Sequence, residues 1–419
     1  MSHGPVWHPF TQHALQPDAI EIARAEGAWL ERPDGTRFLD GISSWWVVTH
    51  GHRHPRIIEA IKKQTDEVDQ VIFAGFTHRP AEELAARLTQ RIGLPHIFFS
   101  DSGSTAVEVA LKMALGFWRN QGVNRTRIIA FEHAYHGDTI GTMSAGARGV
   151  FNAPYDPLLF DVIRLPFPFK DKEDVTLTAL RAATADGQAA AFIVEPLILG
   201  AGGMLTYPPE TLRAMAEICQ QTRTLFIADE VMTGFGRTGT FLACQQAGIT
   251  PDILCLAKGI TGGSLPLAVT LASAPIFDAH FSEDRRKTFF HSSSYTANPI
   301  ACAAAVANLD VWDQEPVQER ITHIAQWQRE MSESVLADPR FSDVRLCGTI
   351  AAFDLRVADE GYLASIGPKL YDHFLSRGLL LRPLGNTIYI MPPYCITRDE
   401  LASLYEAIKD AADTFGARA

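Results

Sequence analysis

Short apolar runs separated by stretches of helical periodicity are the feature that most constrains this chain. His96-Ile-Phe-Phe-Ser100, Arg127-Ile-Ile-Ala-Phe131, Ala191-Phe-Ile-Val194, Leu225-Phe-Ile-Ala228 and Asp252-Ile-Leu-Cys-Leu256 each have the length of a strand and lack a polar alternation. A strand of that kind is buried on both faces, as in a sheet covered by helices on either side. The pattern predicts an α/β fold with a large, wound, mainly parallel sheet. At 419 residues the chain exceeds what one core serves comfortably, so a smaller α/β domain is expected beside it. The outer stretches carry shorter strands and turn signals such as Pro33-Asp-Gly35. The expected division is residues 50–310 for the large domain, with 1–49 and 311–419 folding together into the small one.

Composition narrows the function classes. A net charge of −11, spread without long acidic runs, argues against a nucleic-acid surface. The six cysteines, at 219, 244, 255, 302, 347 and 395, form no CxxC pair and no dense framework, so they read as reduced, mostly buried thiols. Met1-Ser-His-Gly-Pro-Val-Trp7 has no basic region followed by an apolar stretch, and no window approaches a membrane span. A cytoplasmic protein with no membrane partner is expected.

Chemistry concentrates where strands end, which is where ligands of wound sheets collect. Leu225-Phe-Ile-Ala-Asp-Glu230 runs an apolar strand into two carboxylates, a costly arrangement unless a cation or strong donor waits there. A protonated pyridine nitrogen facing Asp229 is one such partner; a helix cap, or a pair with Arg237, is the plainer one. Asp252-Ile-Leu-Cys-Leu-Ala-Lys-Gly-Ile-Thr-Gly-Gly263 delivers Lys258 to the end of a neighbouring strand. A partly desolvated lysine there becomes a nucleophile toward an aldehyde, although most lysines simply reach to solvent.

Two further elements sit at the same edge. In Asp101-Ser-Gly-Ser-Thr-Ala-Val-Glu-Val-Ala-Leu-Lys-Met-Ala114 a small-residue turn opens a helix near Ser102 to Ser104, and Val107, Ala110, Leu111, Ala114 and Leu115 are expected to form its buried stripe. Free backbone N–H groups at such a start suit a phosphate, and also suit mere capping. Ala134-Tyr-His-Gly-Asp138 brings a ring, Tyr135, that could cover a planar ligand or simply make a turn.

In this order the four pieces resemble the class III (omega) aminotransferases, which are fold-type-I pyridoxal-phosphate enzymes. The likeness runs from about Trp29 to Pro393, and Ile227-Ala-Asp-Glu-Val-Met-Thr-Gly-Phe-Gly-Arg-Thr-Gly239, followed by Ala257-Lys-Gly259, is similar to the class signature. The resemblance implies that Lys258 is catalytic and holds pyridoxal 5′-phosphate as a Schiff base, with Asp229 on the pyridine nitrogen. It also implies Gly103 and Ser104 on the phosphate and Tyr135 stacked on the ring, with Asp138, Glu195 and Arg237 in support. It further implies a homodimer, because His291-Ser-Ser-Ser-Tyr-Thr-Ala-Asn-Pro299 matches a segment that family members lend to a neighbouring subunit. Ser293 and Ser294 would bind the neighbour's phosphate, and Ser292 stands where a glycine usually faces substrate.

Trp7-His-Pro-Phe-Thr-Gln12, Asp40-Gly-Ile-Ser-Ser-Trp-Trp46 and Arg382-Pro-Leu-Gly-Asn-Thr-Ile-Tyr-Ile-Met-Pro-Pro-Tyr394 resemble the biotin-pathway branch of that family. Members of the branch aminate 8-amino-7-oxononanoate to 7,8-diaminononanoate. The likeness implies a substrate site of Phe10, Trp45, Trp46, Tyr135, Ser292, Arg382 and Tyr389. Aromatic walls suit a long apolar acid, and a planar cation suits its carboxylate. S-adenosylmethionine is the preferred donor, but relatives using it carry Tyr where this chain has Phe10, so lysine stays open. Other omega-aminotransferase substrates, such as ornithine, 4-aminobutyrate or assorted amines, form the rival reading. A cofactor-binding sensor would carry a basic segment, and a nicotinamide enzyme a dinucleotide fingerprint; neither is found. His50, His52 and His54 lack helical spacing and an acidic companion, so no metal site is expected.

Overall fold

A computed structural model describes residues 4–16, 18–358 and 361–416. Its central sheet has seven strands, in spatial order His96–Ser100, Ala268–Ala272, Ile253–Leu256, Leu225–Asp229, Ala189–Val194, Arg127–Phe131 and Ile163–Leu165. Neighbours run parallel except for Ala268–Ala272, which is antiparallel to both strands beside it. All five strands expected from the apolar runs are present. Ile163–Leu165 and Ala268–Ala272 escape that reading because the first is a three-residue edge strand and the second, Ala-Val-Thr-Leu-Ala, is weak in strand-forming bulk.

Side chains alternate between two covered faces, which explains the unbroken apolar runs. Phe192, Val194, Phe226, Ala228, Leu254 and Leu256 enter one core. Ala191, Ile193, Leu225, Ile227, Ile253 and Cys255 enter the other, beneath the helix Gly103–Asn120. That helix buries Val107, Ala110, Leu111 and Ala114 as expected, but Leu115 is exposed. Its buried face continues instead through Phe117 and Trp118, whose indole Nε1 donates to the Ala190 carbonyl at 2.9 Å.

A separate core draws on both ends of the chain. The four-stranded sheet of Arg24–Glu26, Trp29–Glu31, Arg37–Asp40 and Leu379–Leu380, and the three-stranded sheet of Phe341–Cys347, Ile350–Leu355 and Thr387–Ile390, pack there with the helix Arg398–Phe415. Ile198, Met204 and Met232, from the middle of the chain, belong to it as well.

Arg237 ties these parts together. Fully buried, it donates to the carbonyls of Pro392 and Val48 at 2.9 Å each and of Trp46 at 3.4 Å. Its own carbonyl accepts from Thr349 N at 2.9 Å, at the turn between the strands Phe341–Cys347 and Ile350–Leu355. Gly348 in that turn has φ +57°, and a Cβ there would run into the Thr238–Gly239 backbone and lie 2.6 Å from the Arg237 carbonyl oxygen. Gly348→Ala is therefore expected to cost about 2–4 kcal/mol through backbone strain and overlap together. Gly122 shares a positive φ of +74° with open space around it, so Gly122→Ala should cost only about 1 kcal/mol. Thermal unfolding of the two variants side by side checks the difference, and equal midpoints would overturn it.

Candidate active site

Three parallel strands bring their carboxyl ends together at one cavity of about 480 Å³, in the range of small-molecule sites. Asp229 ends one strand and is paired in register with Cys255 of the next, so Lys258 emerges just beyond, beside it. Glu195 follows the third strand, Ala189–Val194. All three residues line the cavity.

The two carboxylates that end the strand Leu225–Asp229 separate by alternation. Glu230 is wholly buried away from the cavity, where it accepts from Thr233 Oγ1, Ala243 N and Cys244 N at 2.8–2.9 Å. Asp229 faces inward. Its Oδ2 pairs with His136 Nδ1 at 2.7 Å and its Oδ1 accepts from Val231 N at 3.2 Å. Its partner is thus His136 rather than Arg237. Burial disfavours the His136 cation, yet the hydrogen bond and charge of Asp229, with Glu195 behind, hold its pKa above the usual value. Each Asp229 oxygen retains acceptor capacity toward the cavity.

Lys258 occupies the left-handed region with φ +45°, a strained setting for a lysine. The turn after it is fixed by buried Asn308, whose Nδ2 donates to the Gly259 and Ile260 carbonyls at 3.0 Å each. The amine has no hydrogen-bond or ion-pair partner among the described residues and lies 4.6 Å from the centre of the Trp46 ring. Burial lowers its pKa to about 8, although Asp229 and Glu195 pull it upward. Glu195 itself is pushed up to about 7 by burial while accepting from Tyr135 N and Gly200 N at 2.9 and 3.0 Å.

At another wall the helix Gly103–Asn120 starts with a capping box between Ser102 and Thr105. The Gly103 and Ser104 N–H groups belong to its first turn and have no acceptor within the helix. A Cβ on Gly103 would lie 2.6 Å from Val231 Cγ1, so only glycine lets this turn close on the residue that follows Asp229 and Glu230. Ser104 Oγ accepts from Asp138 N at 3.2 Å, and the Tyr135–Gly137 turn rests against it.

The tryptophan turn, Ser43–Trp46, is distorted, with positive φ at Ser43, Ser44 and Trp46. Buried Asp40 holds it by accepting from Ile42 N, Ser44 N, Ser44 Oγ and His52 Nε2 at 2.8–3.2 Å. Trp46 is buried, and its Nε1 donates to the Tyr389 hydroxyl at 2.9 Å. Trp45 is exposed toward the opening, with Phe10 at 5.8 Å and the Arg382 guanidinium at 5.5 Å.

Gly103, Ser104, Tyr135, Asp229, Lys258 and Glu195 therefore meet Phe10, Trp45, Trp46, Arg382 and Tyr389 around one cavity. Asp138 gives its backbone N–H to Ser104 and its carboxylate to the Tyr135 hydroxyl, and Arg237 stands behind the tryptophan turn. Ser292, Ser293 and Ser294 do not line the cavity of their own chain. His136, Phe151 and Tyr362 do, unforeseen from the sequence. His136 had a signal in the Tyr-His-Gly turn; the other two had none. His50, His52 and His54 disperse to Asn308, Asp40 and Glu315, and the described residues hold no cluster able to bind a metal.

This donor set fits a phosphorylated, aldehyde-bearing pyridine: an unpaired amine, an inward carboxylate, a glycine-floored helix start and a flanking ring. The family model described as Aminotransferase class-III matches residues 11–412. The chain belongs to the class III aminotransferases, which work with pyridoxal phosphate. It is 48% identical over 98% of its length to an adenosylmethionine-8-amino-7-oxononanoate aminotransferase of Synechococcus elongatus, 99% of which is covered. It is 39% identical to one of that name from Geobacter sulfurreducens, covering 98% of this chain and 96% of that one. Among solved structures, this class III aminotransferase superposes with TM-score 0.93 on the adenosylmethionine-8-amino-7-oxononanoate aminotransferase of Methanocaldococcus jannaschii, at 33% identity over 98% and 97% of the two chains. A PLP-bound amine transaminase from an uncultivated Pseudomonas species gives the same score and identity, over 99% and 100%.

The lowered pKa of Lys258 makes a direct prediction for this class III aminotransferase freed of cofactor. Labelling of Lys258 by trinitrobenzenesulfonate, read by peptide mass spectrometry, should rise with pH about a midpoint near 8, because the neutral amine reacts. Asp229 raises that pKa, so Asp229→Asn should move the midpoint lower. A midpoint near that of free lysine, or an upward move, would contradict the assignment.

Proposed function

We propose that this enzyme transfers an amino group to 8-amino-7-oxononanoate, giving 7,8-diaminononanoate for biotin synthesis, with S-adenosylmethionine as donor. The observation that carries this reading is the open side of the cavity, where Phe10, Trp45 and Phe151 offer aromatic walls and Arg382 offers a cation. Among the described residues Arg382 has no carboxylate partner; its one hydrogen bond goes to the Phe10 carbonyl at 3.2 Å. A long apolar chain ending in a carboxylate satisfies both features, and the names of the relatives agree with it.

When bound, pyridoxal phosphate supplies an aldehyde to receive the amino group and an electron-poor ring that makes the substrate's neighbouring C–H acidic. Lys258 would hold it through Nζ, Asp229 would pair with its ring nitrogen, Gly103 and Ser104 would bind its phosphate, and Tyr135 would lie against its ring, all of them lining the one cavity. Lys258 Nζ, when not engaged with the cofactor, would be the base that takes the proton from the substrate carbon bearing the amine and the acid that gives it back. Trp46 and Tyr389 exclude water around that amine, and Glu195 anchors Tyr135 through the backbone. Donor and acceptor use the same cavity in turn, so ping-pong kinetics follow.

A homodimer completes the site, with Ser293 and Ser294 reaching the partner's phosphate and Ser292 facing its substrate. This is supported by the surface around that loop. Ile72, Phe76, Phe290 and Tyr295 are exposed, and the two segments are tied by Gln70 Nε2 to the Ser294 carbonyl at 2.8 Å and Asn298 Nδ2 to the Asp69 carbonyl at 3.1 Å. Apolar patches of this kind mark interfaces. The cytoplasm is the proposed location; the cysteines are free, and no helix among the described residues is long and apolar enough to cross a membrane.

Visible spectroscopy tests the reaction. The cofactor band of the purified enzyme should disappear on adding S-adenosylmethionine and return with 8-amino-7-oxononanoate. Loss of the band with lysine alone would reassign the donor, and no return with the oxononanoate would favour a broad-range transaminase. Light scattering should give twice the 46.1 kDa chain mass; a fully active monomer would overturn the shared site.

A further inference from the structure

The open side of the cavity is assembled from five separate stretches of chain. Phe10 lies 5.8 Å from Trp45 and 6.0 Å from Phe151, ring to ring, and Phe151 stands edge-on to Tyr362 at 4.4 Å. Arg382 joins this ring of aromatics beside Trp45 and through its bond to the Phe10 carbonyl. Lys258 lies against Trp46 instead, so the two cations rest on successive tryptophans of one distorted turn.

Tyr362 is held beside Arg382 by the backbone. Gly385, three residues after Arg382, has φ +64°, and a Cβ there would collide with the Gly361 carbonyl and lie 3.0 Å from Tyr362 Cα. Gly361 N donates to Asn386 Oδ1 at 3.0 Å. The turn that carries Arg382 is thus the seat of Tyr362.

The Tyr362 hydroxyl has no hydrogen-bond partner among the described residues, whereas that of Tyr389 is engaged by Trp46. Burial holds it protonated, its pKa above the usual tyrosine value, against the opposing charge of Arg382. It is therefore a donor at neutral pH.

We infer that Tyr362 is a substrate-binding residue whose hydroxyl donates to the acceptor's carboxylate while Arg382 pairs with it. The carboxylate displaces the weak contact between Arg382 and the Phe10 carbonyl, and a neutral and a charged donor then hold one anion. Specificity for a carboxylate-ended acceptor comes from the pair. This rests on the substrate reading above.

The test uses cofactor-loaded enzyme, Tyr362→Phe, and two probes of one chain length, octanoate and octan-1-ol, titrated against Trp fluorescence. Removing one hydrogen bond to a charged group should weaken octanoate about tenfold and leave octanol within about twofold. The KM for 8-amino-7-oxononanoate should rise about tenfold with little change in kcat. Unchanged octanoate affinity would overturn the inference, as would equal losses for both probes, which would make Tyr362 an apolar wall. If the enzyme does not turn over the oxononanoate yet Tyr362→Phe weakens octanoate alone, the substrate reading fails and the role of Tyr362 stands.

Discussion

The pairing of Asp229 with His136 at the end of a central strand is the interaction on which the site depends. Four ionisable groups, Asp229, His136, Glu195 and Lys258, are gathered with little solvent, an arrangement that is costly unless the charges compensate. Asp229 engages His136 directly, and its hydrogen bond and charge raise the imidazole's pKa against the burial that lowers it. Glu195 escapes part of the cost through two backbone donors and a pKa near neutrality, and Lys258 through a pKa lowered to about 8. The amine of Lys258, with no hydrogen-bond or ion-pair partner among the described residues, remains available to a ligand.

The second requirement is a rigid wall opposite those groups, and it comes from elsewhere in the chain. The tryptophan turn has a backbone that few residues adopt willingly, so it needs outside support. Asp40 supplies that from the end of the preceding strand and Arg237 from behind the turn, each satisfying several backbone groups at once. Arg237 sits in the same signature stretch as Asp229. One short segment thus aims the carboxylate at the cavity and braces the wall facing it, and Trp46 carries that bracing to within 4.6 Å of the lysine amine.

The local parts of this design were legible in the sequence. Unbroken apolar runs announced strands covered on both faces, and Asp229, Lys258 and the Ser102–Ser104 turn stood at their ends. What periodicity conveyed less well was fine placement: Leu115 fell on an extrapolated stripe and is exposed, because the buried face drifts toward Phe117 and Trp118. Asp229 and Glu230 were indistinguishable as adjacent carboxylates, and strand alternation alone sends one inward and the other to three donors in the core.

By itself the sequence determined five of the seven central strands, the lysine that stands just past the end of one of them and the resemblance to one enzyme family, since all three reside in contiguous residues whose spacing is read directly. Only the tertiary structure decided which groups share the cavity. His136 became the partner of Asp229 across 93 positions, and Arg382 met Phe10 across 372. Phe151 and Tyr362 entered the wall with no motif to announce them. Such contacts depend on how separate elements pack, and hydrogen-bond partners and desolvation are properties of that packing rather than of any one segment.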